Sequence, residues 1–252
     1  MTGGHQEGMA AARSALTGAA GPAGHLSALL DRFAAEPARH WPELMDHLCP
    51  QLDTVHPASW AALPRLAEIA AACDGTDRLT PVLSAAAAIA SCAPDTDGPL
   101  QELAGPVGEL HRLTDGALRR AADREEYVLL LQCLLSFEGA VCWDRALDGL
   151  HTGEFEACCP WCGLLLEVEL GTERSHCVDA EYSLPGEPVR APIRPAALGQ
   201  LDGVGARLFR RATADGWPAV ARAVRRLFGE SACPDCGTGF VVAVRVAAAR
   251  GF

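Results

Sequence analysis

Leu48 to Ala70 reads LCPQLDTVHPASWAALPRLAEIA, and this stretch decides the class of the fold. Trp60, Leu63, Leu66, Ala67 and Ala70 recur at intervals of three and four, which places them on one face of a helix. Pro57 stands where a first helical turn tolerates a missing N–H. Pro64 falls inside the same helix, where the lost hydrogen bond predicts a kink. The next segment repeats the period with Val82, Leu83, Ala86, Ile89 and Ala90, behind Thr80 as N-cap and Pro81. Farther on, Asp123 and Glu126 form a capping-box-like pair ahead of YVLLLQCLLSF, and Gly139 supplies the stop. Helices this thin cannot bury an apolar stripe alone and must stack on neighbours. Residues 21–150 are therefore expected to be helical, as an α-solenoid or as a compact helical domain.

The C-terminal part reads differently. CCPWCG at 158–163 crowds three thiols into five positions, and Cys233-Pro-Asp-Cys236-Gly237 repeats its C-P-x-C-G core, with 70 residues between Cys162 and Cys233. Two residues between cysteines let the backbone turn so that both sulfurs aim at one ion, and a glycine after each pair relieves that turn. Cys159, Cys162, Cys233 and Cys236 thus supply four thiolates, a set that suits tetrahedral Zn²⁺ in a closed structural site. Iron or a redox dithiol is the competing reading of a C-x-x-C pair, but a redox centre does not need a duplicate. LLLEVEL and FVVAVRV follow the two knuckles and read as strands, as a zinc ribbon requires. A ribbon ordinarily has about 15–20 residues between knuckles, so this one is interrupted. SHCVDAEYS is expected to pair with LLLEVEL around Gly171, and GVGARLFRRATADG and PAVARAVRRLFGE read as helices flanking Gly216. Cys158 is surplus to the knuckle, and His176 and Cys177 are alternative ligands. Cys49, Cys73, Cys92, Cys133 and Cys142 lie in or beside helical apolar patterns and are expected to be buried core thiols.

The stretch from Leu48 to Ala70, a second helix, and YVLLLQCLLSFEG together resemble bacterial HEAT-like repeat proteins, many of them actinobacterial, some with a CPxCG pair near the C-terminus. That resemblance spans about residues 40–240. It implies a helical scaffold and partner binding without an established activity. The expected architecture is mainly α: a HEAT-like helical solenoid or compact helical domain with an interrupted small β zinc ribbon. The expected division is a flexible segment 1–20, helices over 21–150, and a split ribbon over 151–252 with a helical insertion around 196–230.

Composition limits the function classes. The 252 residues are long enough to build a core without disulfides, and the N-terminal segment lacks the basic and apolar regions of a secretory leader. The longest apolar run, AAAAIASCA, is too short to span a membrane, so the expected location is cytoplasmic. A formal charge of −11 argues against indiscriminate nucleic-acid binding. Between Glu187 and Arg226, however, eight arginines face three acids. Arg207, Arg210 and Arg211, and again Arg222, Arg225 and Arg226, follow helical spacing. Arg207, Arg211, Arg222 and Arg225 are the candidate contacts to a protein partner with an acidic patch. Internal pairing with the acidic remainder is the competing reading. For catalysis the best constellation is His40, Glu43, Asp46 and His47, with Glu43 and His47 one helical turn apart. No H-E-x-x-H, G-x-S-x-G, P-loop or G-x-G-x-x-G pattern accompanies it. An exposed, salt-bridged helix is the plainer account of these four residues.

Overall fold

A computed structural model describes residues 23–52, 54–92, 103–140, 142–181 and 187–251. The segment 1–20, expected to be flexible, lies outside them. The described residues form ten α-helices and small antiparallel sheets, a mainly helical fold. They divide into two compact units: one holds the residues up to Ala121 with Gln132–Asp144, the other Ala122–Leu131 with Arg145 onward.

The first unit contains α1 (Ala23–Ala35), α2 (Pro37–Leu48), α3 (Pro57–Ala72), α4 (Leu79–Ala90), α5 (Ala104–Leu118) and the later turns of α6 (Arg124–Phe137). The stripe expected on α3 is buried at Leu63, Leu66, Ala67 and Ala70, but Ala58, Ser59, Ala62 and Ile69 are buried as well. This helix is apolar over more than one face because it packs against both α4 and α5. Ser59 fixes its entry: Oγ donates to Leu48 O at 2.5 Å and accepts from His56 N at 3.1 Å. A serine with no exposed surface is thereby satisfied, and the start of α3 is tied to the end of α2.

Thr80 is not the N-cap of α4, which begins one residue earlier, at Leu79. Thr76 makes the preceding turn instead, its Oγ1 donating to Cys73 O at 2.7 Å and accepting from Arg78 N at 3.3 Å. The start of α6 follows the capping-box logic with a one-residue offset. Asp123 accepts from Glu126 N at 2.9 Å, while Glu126 accepts from Ala122 N at 2.8 Å. Gly139, at φ 66°, ends that helix as expected.

The second unit opens with α7 (Gly149–Thr152) and a four-stranded antiparallel sheet in the order β1 (Glu154–Cys158), β2 (Leu165–Leu170), β3 (Ser175–Asp179), β4 (Ala191–Pro192). Register runs from Glu154 opposite Glu169 to Cys158 opposite Leu165, and from Leu166 opposite Asp179 to Leu170 opposite Ser175. The expected hairpin about Gly171 is therefore present. Phe155, Ala157, Leu166, Val168, Leu170 and Cys177 are buried along alternate positions, which is the period of a half-buried sheet. Helices α8 (Gly203–Ala214) and α9 (Pro218–Leu227) pack on each other where the two insertion helices were expected. A second, two-stranded sheet pairs β5 (Glu230–Ala232) with β6 (Gly239–Val241). It joins the segment after β4 through Arg194 and Glu230, which exchange backbone hydrogen bonds of 2.8 and 3.0 Å. Gly229 permits that approach, since a Cβ there would collide with Arg194 O.

FVVAVRV departs from its expected strand. Only its first two residues belong to β6, and Val242–Ala249 form α10. The valines favour a strand locally, yet Val242, Ala243 and Val246 are buried at helical spacing while Val244 is 58% exposed. That pattern is what a helix lying on β1 produces, and Arg245 anchors it by donating from Nε to Cys158 O at 2.9 Å. Tertiary packing overrides local propensity here.

Candidate metal centre

Each C-P-x-C-G core forms the loop of a hairpin. The first spans 159–164, between Cys158 and its partner Leu165, and the second spans 233–238, between Ala232 and its partner Gly239. The two loops share one hydrogen-bond pattern. Cys159 N donates to Leu164 O at 2.9 Å and Cys233 N to Thr238 O at 2.9 Å. Gly163 N donates to Cys159 O at 3.2 Å and Gly237 N to Cys233 O at 3.0 Å. Both glycines are left-handed, at φ 75° and 74°, a conformation that side-chain-bearing residues rarely adopt. Repetition of sequence has thus become repetition of backbone geometry.

The loops bring Cys159, Cys162, Cys233 and Cys236 together, with all four sulfurs within 4.8 Å of one another. Across the loops, Cys159 Sγ lies 3.6 Å from Cys236 Sγ, and Cys162 Sγ lies 3.7 Å from Cys233 Sγ. A tetrahedral ion with metal–sulfur bonds of about 2.3 Å has sulfur–sulfur edges of about 3.8 Å. The donor set and its spacing therefore fit a metal ion held by four thiolates. One cysteine of each knuckle, Cys159 and Cys233, is buried, while Cys162 and Cys236 are exposed.

The electrostatics differ from one sulfur to the next. The Thr238 hydroxyl, 3.2 Å from Cys236 Sγ, and the Thr238 backbone hold the Cys236 thiol down at about 6. Cys162 is pushed up to about 12: the Leu164 backbone pulls it down, but desolvation and its three neighbouring cysteines outweigh that pull. Four thiols this close cannot all ionise unless a cation compensates them. A metal ion held by these four cysteines would supply that compensation in place of their protons.

Neither the surplus cysteine nor the alternative ligands belong to this group of four. Cys158 is half-buried on β1. His176 pairs with Glu169 at 2.9 Å. Cys177 is fully buried on β3, and burial pushes its thiol up. Among the five thiols expected in the core, Cys49, Cys73, Cys133 and Cys142 are buried, but Cys92 is half-exposed just beyond the end of α4.

The four arginines proposed from the sequence fall into two pairs. Arg211 Nε lies 2.5 Å from Asp215 Oδ2, and Arg225 Nε donates to Ala196 O at 2.9 Å, so both engage the fold itself. Arg207 and Arg222 are exposed on α8 and α9. Sequence reasoning missed the cluster that employs Arg211. Tyr127 has no exposed surface, stacks on Trp217 with ring centroids 4.9 Å apart, and donates its hydroxyl to Asp215 Oδ2 at 3.0 Å. Burial first, and then the Asp215 charge, raise the Tyr127 phenol well above its usual value. The three polar members lie as far as 88 positions apart, so no local spacing could reveal them.

The candidate catalytic residues on α2 make local pairs. Glu43 accepts from Arg32 at 2.6 Å and lies 3.4 Å from His40 Nδ1. His47 Nδ1 is 2.9 Å from Glu43 O, one turn back along the helix, and Asp46 is exposed. His25 and His47 have ring centroids 5.3 Å apart. This is a solvated ion-pair network of the kind that helix surfaces carry.

No protein-family model matches the chain, and neither a curated protein nor a solved structure matches it significantly. Among the described residues, no helix is long and apolar enough to cross a membrane.

Proposed function

We propose that the chain is a helical scaffold, HEAT-like in its first unit, whose second unit is braced by one structural Zn²⁺ and binds a macromolecular partner. The observation that carries the metal part is the convergence of four cysteines from two like hairpin loops. Four thiolates complete a tetrahedral shell and leave no position for a substrate, so the site serves structure rather than catalysis. Cys159 and Cys162 hold the ion from one sheet, and Cys233 and Cys236 hold it from the other. The zinc reading predicts one zinc per chain by elemental analysis of the purified protein. Cys159→Ser with Cys236→Ser should lose it, and full retention by that double variant would sink the assignment.

Partner binding is supported by the surface of the same unit. Trp161, between two of the thiols, is 81% exposed, and large aromatic residues are enriched at protein interfaces. Arg207 and Arg222 are exposed, which suits an acidic protein patch. Capture from the source organism should be weakened by Trp161→Ala and by Arg207→Glu with Arg222→Glu, with zinc content unchanged. Added salt should reduce it too. Equal capture by all three proteins would overturn this surface.

A further inference from the structure

A second close pair of thiols lies in the first unit. Cys49 follows α2 and Cys92 follows α4, 43 positions apart, yet their Sγ atoms are 3.6 Å from each other. Both sulfurs approach one carbonyl, Ala88 O, at 3.7 and 3.3 Å, and Cys92 Sγ also lies 3.8 Å from Leu52 O. Cys49 is buried, whereas Cys92 is partly exposed. The residues that follow Cys49 are unusual. Gln51 and Leu52 are consecutive non-glycine residues in the left-handed region, at φ 59° and 60°, which L side chains disfavour. Strain of this sort gathers at switch segments. Here it borders one member of a thiol pair and supplies the carbonyl that faces the other.

We propose that Cys49 and Cys92 form a reversible disulfide when the protein meets a hydroperoxide, a modification site separate from the metal centre. The Cys92 thiolate attacks one peroxide oxygen, breaking the O–O bond, and becomes a sulfenic acid as hydroxide leaves and takes up the proton that the Cys92 thiol gave up, forming water. The Cys49 thiolate then attacks the Cys92 sulfur and displaces hydroxide, which takes up the remaining proton as water. Two thiols and one hydrogen peroxide thus yield one disulfide and two waters. The sulfurs must close from 3.6 Å to a bond of about 2.05 Å. The bridge joins the ends of α2 and α4 and closes a loop that contains all of α3. A thiol reductant reverses the step and restores both cysteines.

The test uses the full, zinc-loaded chain with hydrogen peroxide, followed by alkylation, digestion and peptide mapping with and without reductant. The expected result is a peptide pair linked through Cys49 and Cys92 that separates on reduction, with an intact mass lower by two hydrogens for that bridge. In Cys49→Ser the resolving thiol is gone, so a sulfenic acid at Cys92 should accumulate and be trapped by dimedone well above the wild-type level. Should Cys49→Ser fail to fold, Cys92→Ser provides the alternative, and Cys49 should then remain a thiol after peroxide. Both cysteines alkylated quantitatively in the treated wild type would overturn the proposal. So would a Cys92 bridge to any other cysteine, or oxidation of Cys49 in Cys92→Ser. Bridges among Cys159, Cys162, Cys233 and Cys236 would instead bear on the metal centre, so the two readings fail separately.

Discussion

Arg211 shows how a residue's charge can mislead when read along one helix. Its spacing with Arg207 suggested an outward stripe, but Asp215, one turn on, draws it into a pair with a side chain only 6% exposed. Removing Arg211 leaves the Asp215 carboxylate beside Tyr127 without its cation. Arg211→Ala should therefore cost about 3 kcal/mol, the lower end for breaking a buried ion pair. Arg222→Ala, on an exposed position of α9, should stay within about 0.5 kcal/mol. Urea unfolding of the two variants provides the comparison, and equal losses would contradict the assignment of Arg211 to the interior. The knuckle cysteines were legible for the opposite reason. Their chemistry is written in a short spacing, C-P-x-C-G, that fixes a local turn wherever it occurs.

Elements with a strong period were also readable before the fold was known. Helix α3 could be placed from Leu63, Leu66, Ala67 and Ala70, and α8 and α9 from the segments around Gly216. What the period could not convey was the number of neighbours. Ala58, Ala62 and Ile69 are buried because helices pack on two sides of α3, a fact about partners rather than about the helix itself. Leu63→Ala should cost about 2–5 kcal/mol, since this side chain is wholly enclosed. For α10 the difficulty was ambiguity: alternating valines satisfy a strand, while burial of Val242, Ala243 and Val246 satisfies a helix. Val246→Ala should cost about 1.5 kcal/mol for its two lost carbons and Val244→Ala almost nothing. Similar losses at both positions, as a strand with one buried face would give, would contradict the helix.

At the scale of the whole molecule, the mainly helical class was legible from repeated apolar stripes, and the sheets from the sequence after the first knuckle. The convergence of the knuckles was inferred from their likeness across 70 intervening residues, and the fold of the second unit brings their sulfurs within 4.8 Å. All four cysteines belong to that unit. Binding at such sites is worth about 10–16 kcal/mol, so chelation should loosen the strands around the knuckles. Hydrogen exchange should accordingly rise in β1, β2, β5 and β6 on zinc removal, while α1 to α4 keep their protection. A uniform rise throughout would show that the metal supports both units alike. The most direct test of the central claim is X-ray absorption at the zinc edge on the purified protein. The account predicts four sulfur neighbours at about 2.3 Å, whereas nitrogen or oxygen neighbours in place of sulfur, or no zinc, would contradict it.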